Sequence, residues 1–318
     1  MKFFITGGAG YIGAHLGDAL LRHGHKVRIY DDFSSGLKRR CENRFFDVIE
    51  GDILDNEKLR SSMNDIDVVI HLAAKKAVGE SVIKPDFYFE NNVIGSKNIL
   101  ESMKFNSINK IIFSSTAAVY SPKGNLLIDE NCELNPLSPY GQNKLMVEDE
   151  ITNYCINSGF SAITLRYFNV VGCGDLLLSD NSQENLVPKV FAAIDSNESP
   201  LIFGDTYPTP DGTCIRDYVH ISDLVEAHIK LLDHFIKGEN QIFNIGSGSG
   251  YSVKQVMYEI RETVGFALNE KVVEVRAGDT AKLVANISKI KNMVNWTPKE
   301  SLSSMVKSAW AGWQLNRE

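Results

Sequence analysis

The sequence predicts an α/β protein built on a Rossmann-type, doubly wound parallel sheet, with a smaller C-terminal α/β lobe. A glycine-rich turn separates a strand-like run from a helix-like run near the N terminus, and the two patterns then alternate through the first half. From about residue 169 the elements become shorter, and proline and glycine cluster at 199–213. Such alternation is typical of a parallel sheet covered by helices on both faces.

We expect two domains, with the boundary between residues 168 and 169. Residues 1–168 would form the dinucleotide-binding domain, and residues 169–318 a substrate-binding lobe that closes over its crevice. Parts of 216–246 are expected to return and pack on the first domain, so a single cut would describe the chain incompletely.

Each element of the first domain follows from its hydrophobic pattern. Short apolar runs predict buried strands, and apolar residues three and four positions apart predict helices. The predicted strands are 2–6, 26–30, 46–50, 67–72, 109–114 and 161–167. The predicted helices are 12–23, 56–63, 86–105 and 140–158.

The first turn carries Gly7, Gly10 and Gly13 at three-residue spacing, directly after an apolar strand and before a helix. Glycines in this context permit a tight turn and a close approach of the backbone to a pyrophosphate. The N terminus of the helix that follows would then face the anion. The spacing differs from the G-x-G-x-x-G of most dinucleotide dehydrogenases. A glycine turn that only serves packing is the alternative.

Asp31 lies at the end of the second predicted strand, 18 residues beyond Gly13. An acid at this place would accept hydrogen bonds from an adenosine ribose. It would also repel a 2′-phosphate, which favours NAD over NADP as the cofactor. The basic run that follows, 38–40, is interpreted as a solvated surface.

The carboxyl ends of the predicted strands meet at one edge of the sheet, where open α/β sheets bind their ligands. The residues expected to line this crevice are the Gly7 turn, Asp31, Asp52, Ala73, Ser114 to Thr116, and Tyr140.

Tyr140 and Lys144 are four residues apart on a predicted helix, so their side chains share one face. An ammonium group beside a phenol favours the phenolate and would lower the pKa of the tyrosine, which would make it a usable general base. Alone, a tyrosine and a lysine at this spacing are more often part of a solvated helix surface.

The bulk composition excludes several classes of protein. A net charge of −7 gives no electrostatic reason to expect a nucleic-acid partner. No apolar run reaches the length of a membrane span, so we expect no membrane association. The five cysteines are irregularly spaced without a C-x-x-C motif, which predicts no metal site, no disulfide framework and a cytoplasmic protein with reduced thiols.

Taken in order, the motifs resemble the UDP-glucose/UDP-galactose 4-epimerase family of the extended short-chain dehydrogenase/reductase superfamily. The resemblance runs nearly from end to end, and the stretches 76–81 and 211–220 are its most specific parts. The other stretches that carry it are 6–13, 50–53, 91–93, 113–120, 138–141, 144–148, 165–169, 202–204 and 276–279.

The resemblance implies an isomerase, a 4-epimerase of UDP-hexoses that uses bound NAD and passes through a 4-keto intermediate. Tyr140 would be the base, with Thr116 and Lys144 as its catalytic partners. The implied cofactor-binding residues are Gly7, Gly10, Tyr11, Ile12, Gly13, Asp31, Asp32, Asp52, Ile53, Leu72, Ala73, Lys76, Asn92, Ser114, Tyr140, Lys144 and Phe168.

The second lobe would hold the UDP part of the sugar nucleotide. The implied substrate-binding residues are Thr116, Asn169, Asn185, Leu201, Phe203, Arg216, Tyr218, Arg276, Asp279 and Leu283. Each also has a plain structural interpretation; Arg216 beside Asp217, for example, could form a surface ion pair. The resemblance further implies a homodimer, with helices 92–105 and 140–158 at the interface.

Two departures from the family pattern leave the sugar open. Leu283 occupies a position where bulk is linked to exclusion of N-acetylated sugars, so UDP-GlcNAc and UDP-GalNAc are expected as substrates besides UDP-glucose and UDP-galactose. The segment 172–184 replaces the usual loop before the Asn185-Leu186 pair. It is expected to border the sugar.

Three alternatives share the fold. A 4,6-dehydratase needs an acid/base pair after the threonine, whereas Ala117 and Ala118 follow Thr116 here. A UDP-glucuronate 4-epimerase, or another nucleotide-sugar-modifying member of the superfamily, would need further cations for the carboxylate. A non-catalytic NAD-sensing protein would usually have lost the tyrosine or the lysine.

Overall fold

The computed structural model describes residues 1–121, 127–276 and 279–317. The chain forms two compact units. The first comprises Met1–Tyr120, Leu134–Arg166 and His228–Phe243, and the second Ser121–Glu133, Tyr167–Ala227 and Asn244–Glu318. The chain therefore passes between the units more often than a single boundary after residue 168 allows. The assignment of the units to NAD and to UDP-sugar binding stays a prediction.

The first unit is built on a seven-stranded sheet with the strand order β10-β6-β5-β4-β1-β2-β3. Its strands are β1 (Lys2–Thr6), β2 (Lys26–Asp31), β3 (Asp47–Glu50), β4 (Val68–His71), β5 (Lys110–Thr116), β6 (Ser161–Tyr167) and β10 (Asn240–Ile245). The pairs β1–β2, β1–β4, β2–β3 and β4–β5 are parallel. This is the doubly wound order, with β10 added beside β6, and it confirms the predicted fold class.

Helices connect these strands close to the predicted positions. They are α1 (Tyr11–Arg22), α2 (Asn56–Ser62), α3 (Val78–Ile83), α4 (Pro85–Phe89), α5 (Gly95–Phe105) and α6 (Pro139–Ser158); α8 (Ile221–Leu231) begins in the second unit and ends in the first. The single helix predicted over 86–105 is wrong in one respect. A π-helical turn, Glu90–Ile94, separates α4 from α5.

Helix α6 shows why its sequence begins and ends where it does. The Ser138 side chain accepts a hydrogen bond from the Gly141 N–H at 3.1 Å, and Pro139 occupies the first helical position. Gly159 ends the helix in the left-handed conformation, with φ of 67°. Val147, Ile151 and Cys155 fall on one face and are buried in the core of the first unit.

The second unit contains smaller sheets. Its strands are β7 (Asn169–Val171), β8 (Leu201–Phe203), β9 (Ile215–His220), β11 (Gly250–Ser252), β12 (Lys271–Val273) and β13 (Lys282–Leu283). Strand β9 pairs with β7, β11 and β13, and β8 pairs with β12. Its remaining helices are α7 (Leu186–Asp195), α9 (Val253–Val264), α10 (Ser288–Val294) and α11 (Leu302–Leu315). Apolar side chains of α7, α9 and α11 form its core.

Across residues 1–121, 127–276 and 279–317, none of the helices combines the length and apolar character that a bilayer crossing needs. The same residues include no group of three or more histidine, cysteine or acidic side chains placed to hold a metal ion.

Candidate active site

The glycine turn after β1 is shaped by close backbone packing. Gly7 has φ of +69°, and a Cβ atom on it would lie 2.7 Å from the Ala73 nitrogen. A Cβ on Gly13 would clash with the Gly7 carbonyl oxygen. Among the residues that the structure describes, no side chain caps the N terminus of α1, and the first turn of this helix carries no acidic residue. Because the helix dipole is positive there, this end fits an anionic group such as a pyrophosphate.

Asp31 connects the end of β2 to this turn. Its carboxylate accepts hydrogen bonds from the Ala9 and Phe33 N–H groups, both at 2.9 Å. Burial raises the pKa of this carboxyl group, against the lowering effect of the two backbone donors. Each oxygen has capacity for a second donor, so the carboxylate can still accept a ribose hydroxyl. The glycine cradle and Asp31 together fit a dinucleotide.

The neighbouring predicted residues mostly fix turns. The Asp32 carboxylate accepts from the Ser34 N–H at 2.9 Å, and the Asp52 carboxylate from the Leu54 N–H at 2.9 Å. Ile53 is buried, and a Cβ on Gly95 of α5 would lie 2.5 Å from its side chain. Tyr11 is buried at the start of α1, and Ile12 and Leu72 are half-buried.

Asn92 acts on the protein backbone. Its side-chain amide donates to the Lys75 carbonyl at 2.9 Å, and its Oδ1 accepts from the Lys75 N–H at 2.8 Å. The loop after β4 is thus held to the π-helical turn. The Lys75 side chain donates to Ser34 Oγ at 2.8 Å, whereas the Lys76 side chain is exposed. Lys75 was missed because a backbone contact leaves no side-chain signal in the sequence.

His71, at the end of β4, connects the end of β1 to the start of α5. Its Nε2 lies 2.8 Å from Ser96 Oγ and its Nδ1 lies 2.8 Å from Thr6 Oγ1. Ser96 Oγ in turn donates to the Asn92 carbonyl oxygen. Burial, with a smaller effect of Lys144, lowers the pKa of His71 to about 3, so the ring is neutral. Sequence reasoning missed this residue, although a histidine in an apolar strand is a signal.

Tyr140 and Lys144 lie one turn apart on α6, as predicted. The Thr116 side chain lies close enough to the Tyr140 hydroxyl to affect its pKa, and Thr116 Oγ1 accepts a hydrogen bond from the Ala118 N–H at 3.1 Å. Burial raises the pKa of Tyr140 to about 12, and Thr116 lowers it only in part. The structure therefore brings the phenol and the hydroxyl of the predicted catalytic set together.

Lys144 takes a different partner from the expected one. It is 3% exposed, its ammonium donates to the Ser114 carbonyl at 2.8 Å, and it lies 4.8 Å from the centre of the Phe113 ring. Burial lowers its pKa to about 7, while Glu148 opposes the change. The pKa of Tyr140 is thus raised, opposite to the predicted direction, because burial disfavours the phenolate.

Behind Lys144 lies a buried ion pair that sequence reasoning missed. Glu148 accepts from Arg166 Nη2 at 2.6 Å and from Nε at 3.0 Å, and also from the Ser115 hydroxyl. Arg166 Nη1 donates to the Tyr120 hydroxyl at 2.7 Å. The pair ties α6 to β5 and β6. An arginine inside an otherwise apolar strand was the available signal.

In the second unit, predicted substrate residues gather around β9. Arg216 Nη2 lies 3.2 Å from Asp279 Oδ1, and Nη1 donates to the Thr280 carbonyl at 2.7 Å. Leu283 pairs with Arg216 across the β13–β9 ladder. The Asn169 side chain donates to the Asp217 carbonyl at 2.8 Å, and Asn169 is paired in register with Tyr218.

Asp217 does not form the surface ion pair considered from the sequence. It is fully buried, and its carboxylate accepts from Ser247 N–H and Oγ, from Gly248 N–H and from Ala285 N–H at 2.6–3.0 Å. Burial nevertheless raises its pKa to about 6. Asp217 holds the segments beside β9, and Arg216 is left to pair with Asp279.

The remaining predicted residues lie elsewhere in the second unit. Phe203, on β8, is covered by the Arg276 guanidinium at 3.6 Å from its ring centre, and Leu201 on the same strand is exposed. Asn185 precedes α7, and its side chain donates to Asp180 Oδ2 at 2.7 Å. Phe168, predicted to touch the cofactor, is buried and belongs to this unit.

The divergent segment 172–184 is attached to α11. The Cys173 N–H donates to Ser308 Oγ at 3.1 Å, and the Asn316 side chain donates to the Leu176 carbonyl at 2.6 Å. A Cβ on Gly312 would lie 2.8 Å from Cys173 Sγ, so the helix and the segment pack closely. Its predicted place beside the sugar stays a prediction.

Known proteins resemble the whole chain. The model of the NAD dependent epimerase/dehydratase family matches residues 3–246. A UDP-glucose 4-epimerase of Corynebacterium glutamicum is 41% identical, with 98% of this chain and 95% of that protein covered.

Two solved structures extend the likeness to the fold. The UDP-glucose 4-epimerase of Bifidobacterium longum, in complex with NAD+ and UDP, has a TM-score of 0.94 at 32% identity, covering 100% of this chain and 99% of that one. The UDP-Glc/GlcNAc 4-epimerase of Campylobacter jejuni has a TM-score of 0.85 at 35% identity, covering 99% of each chain. The resemblance drawn from the motifs is confirmed: the relatives from Corynebacterium glutamicum and Bifidobacterium longum are UDP-glucose 4-epimerases, and the chain belongs to the NAD dependent epimerase/dehydratase family.

Proposed function

We propose that the protein is a NAD-dependent 4-epimerase that interconverts UDP-galactose and UDP-glucose through a transient 4-keto sugar. The observation that carries the proposal is the position of Tyr140 one turn before the buried Lys144 on α6, with Thr116 close enough to affect the pKa of Tyr140, in a chain 41% identical to a UDP-glucose 4-epimerase. A phenol and a hydroxyl on one oxygen suit removal of a proton from a sugar hydroxyl.

In this mechanism Tyr140 takes the proton of the sugar 4-hydroxyl as the phenolate, a form that burial disfavours and that a positive charge beside it, such as the nicotinamide ring of bound NAD, would favour. Thr116 donates a hydrogen bond to the same oxygen and then to the carbonyl oxygen of the 4-keto sugar. The proton returns from Tyr140 to that oxygen when C4 is reduced on its other face. Lys144 holds the end of β5 to α6 through the Ser114 carbonyl and so keeps Thr116 and Tyr140 together.

The cofactor would be held by the glycine turn and Asp31. Bound NAD would accept the C4 hydride and give it back, so that it is regenerated in each cycle. The uncapped N terminus of α1 supplies N–H groups and a positive dipole end for the pyrophosphate. The Asp31 carboxylate would accept from a ribose hydroxyl and disfavour a 2′-phosphate.

The UDP part of the substrate would be held in the second unit. Arg216 and Arg276 suit a diphosphate because a guanidinium offers charge and a planar set of donors. Their present partners are exchangeable, since Arg276 is exposed and Arg216 pairs with the partly exposed Asp279. If the protein binds the substrate mainly through UDP, the hexose can rotate and present either face of C4 to the cofactor.

The test is an assay of the purified protein on UDP-galactose, with the anomeric proton signals of both sugars followed by NMR. We expect equilibration of UDP-galactose with UDP-glucose without added NAD, and NAD released on denaturation of the protein. UDP-glucuronate serves as the comparison substrate. If only UDP-glucuronate reacts, or no sugar does, the proposed activity is wrong.

We further propose that N-acetylated sugars are accepted. Leu283 is half-buried beside Arg216 and is smaller than tyrosine, which leaves room for a 2-acetamido group. The Campylobacter jejuni relative is named as a UDP-Glc/GlcNAc 4-epimerase. We expect turnover of UDP-GlcNAc by the wild type, and a Leu283→Tyr variant that keeps UDP-galactose but loses UDP-GlcNAc. No turnover of UDP-GlcNAc by the wild type would contradict this.

We also propose a homodimer in the cytoplasm. Four exposed apolar side chains of the segments 92–105 and 140–158 support self-association through this surface: Ile94, Phe105, Met146 and Ile156. All five cysteines are free, in keeping with a reducing compartment.

Light scattering behind a sizing column tests the dimer. We expect a dimer for the wild type and a monomer for Met146→Glu. Ile236→Glu changes a similarly exposed apolar residue outside this surface and should remain dimeric. A monomeric wild type would contradict the proposed dimer.

A further inference from the structure

A loop of the second unit, residues 204–213, carries a hydroxyl group without a partner. The Tyr207 hydroxyl oxygen is buried, and no described residue forms a hydrogen bond with it. Buried polar side-chain atoms are paired in the large majority of cases, so each exception calls for a ligand, a water molecule or another reason. The backbone of the loop explains why the ring stays where it is.

Two glycines and two backbone hydrogen bonds fix the loop. The Tyr207 N–H donates to the Gly212 carbonyl at 2.8 Å, and the Thr209 N–H donates to the Tyr207 carbonyl at 2.7 Å. Gly204 and Gly212 both have φ of +81°. A Cβ on Gly204 would lie 3.0 Å from the Tyr207 ring, so the ring packs directly on this glycine.

The charges around the hydroxyl belong to the residues proposed to hold UDP. Asp279 raises the pKa of Tyr207, whereas Arg216 and Arg276 lower it, with burial as the largest effect overall. A Cβ on Gly204 would also lie 2.5 Å from the Val275 side chain, so the Tyr207 ring lies beside the segment that carries Arg276. The hydroxyl stays protonated near neutral pH and can donate a hydrogen bond.

Resting on the proposed function, we propose that the Tyr207 hydroxyl donates a hydrogen bond to a phosphate oxygen of the bound nucleoside diphosphate. Phosphate oxygens only accept hydrogen bonds, and two cations already favour an anion at this place. Arg276 is exposed and stacked on Phe203, so its guanidinium can turn toward a bound diphosphate. The unpaired hydroxyl is then satisfied by the substrate.

The test compares Tyr207→Phe with the wild type by calorimetric titration of UDP and of uridine. Tyr258→Phe removes a hydroxyl from an exposed tyrosine of α9 and is the matched control. We expect the UDP affinity of Tyr207→Phe to fall by at least about tenfold, the size of a hydrogen bond to a charged group. Uridine affinity should stay unchanged, and the control should match the wild type with both ligands.

Two further measurements separate binding from a structural role. The melting temperature of ligand-free Tyr207→Phe should equal that of the wild type, because no internal hydrogen bond is lost. With UDP-galactose as the substrate, KM should rise while kcat changes little.

Four outcomes would overturn the proposal. The first is an unchanged UDP affinity of Tyr207→Phe, and the second is an equal loss of affinity for UDP and uridine, which would place the hydrogen bond on the nucleoside. The third is a markedly lower melting temperature of the ligand-free variant. The fourth is a raised KM accompanied by an equal fall in kcat. A wild type that binds no UDP would overturn the proposed function, and this proposal with it.

Discussion

The candidate groups of the two units are held in opposite ways. In the first unit the Lys144 ammonium donates to the Ser114 carbonyl, and the Asn92 side chain bonds to the Lys75 backbone. Glu148 forms an ion pair with Arg166, and these side chains are buried. In the second unit the two arginines proposed to hold the diphosphate have partners nearer the surface: Arg216 pairs with the partly exposed Asp279, and the exposed Arg276 covers Phe203.

The difference separates groups that must stay in place from groups that must change partner. Buried side chains with partners inside the protein position Thr116 and Tyr140 whether or not a ligand is present, which is what a proton transfer needs. Partly exposed ion pairs are worth little to stability and can be exchanged for a phosphate at small cost. Substitutions should therefore act on activity and stability in the first unit, and on ligand affinity in the second.

The largest effect is expected for Tyr140→Phe. Loss of the base should lower kcat by about 10⁴-fold, the upper range of general acid–base catalysis. NAD content and the melting temperature should stay close to those of the wild type. Tyr154→Phe, on the same helix, is the control and should remain active. A Tyr140→Phe variant that keeps most of its turnover would remove the proposed mechanism.

The next largest effect is expected for the buried Glu148–Arg166 ion pair of the first unit. Glu148→Ala leaves the Arg166 guanidinium buried without its carboxylate and should lower the free energy of unfolding by about 3–5 kcal/mol. Glu150→Ala, two residues on, breaks a surface pair with Lys97 and should cost about 1 kcal/mol or less. Denaturant unfolding measures both. If the two variants lose the same free energy of unfolding, buried and exposed ion pairs do not differ in the way described.

A pH effect isolates Lys144. Burial lowers its pKa to about 7 in the folded chain, so between pH 7 and pH 9 the unfolded chain binds more protons at this residue, and its contribution to stability rises with pH. The free energy of unfolding of the wild type should rise by about 2 kcal/mol more over this window than that of Lys144→Met.

Lys104→Met, at the exposed end of α5, is the control for this pH dependence and should follow the wild type. If Lys144→Met shows the same pH dependence as the wild type, the ammonium of Lys144 is not buried as described.

The smallest effect on stability is expected in the second unit. Arg216→Gln removes a partly exposed pair and should change the free energy of unfolding by about 1 kcal/mol or less. UDP affinity should nevertheless fall by about tenfold or more. Fluorescence melting and UDP titration give the two values. A loss of several kcal/mol in the free energy of unfolding would show that the Arg216–Asp279 pair stabilises the fold as the buried Glu148–Arg166 pair does.

The sequence predicted the strands of the first unit closely because apolar runs and glycines report local structure. Strands β1 and β6 match their predicted bounds, and α6 begins one residue before its prediction. The spacing of Tyr140 and Lys144 likewise predicted their shared helix face. The predicted direction of the Tyr140 pKa shift was wrong, because burial, the largest cause of the shift, depends on residues far along the chain.

Other parts of the site depend on contacts that a local pattern does not carry. The pairing of Asn92 with Lys75 is made through backbone atoms. Arg216 was set beside Asp217 by sequence adjacency, yet it pairs with Asp279, 63 positions away. Strand alternation points neighbouring side chains to opposite faces, which is why adjacent charges on β9 do not meet.

The π-helical turn over Glu90–Ile94 has a consequence for the length of this segment. One extra residue in a helix turns everything after it by about 100° about the axis, since an α-helix has about 3.6 residues per turn. The number of residues between Asn92 and the buried side chains of α5 therefore determines that Asn92 faces Lys75 while those side chains face the core. Deletion of one residue there would swing either the Asn92 amide away from Lys75 or Ile99 and Met103 out of the core.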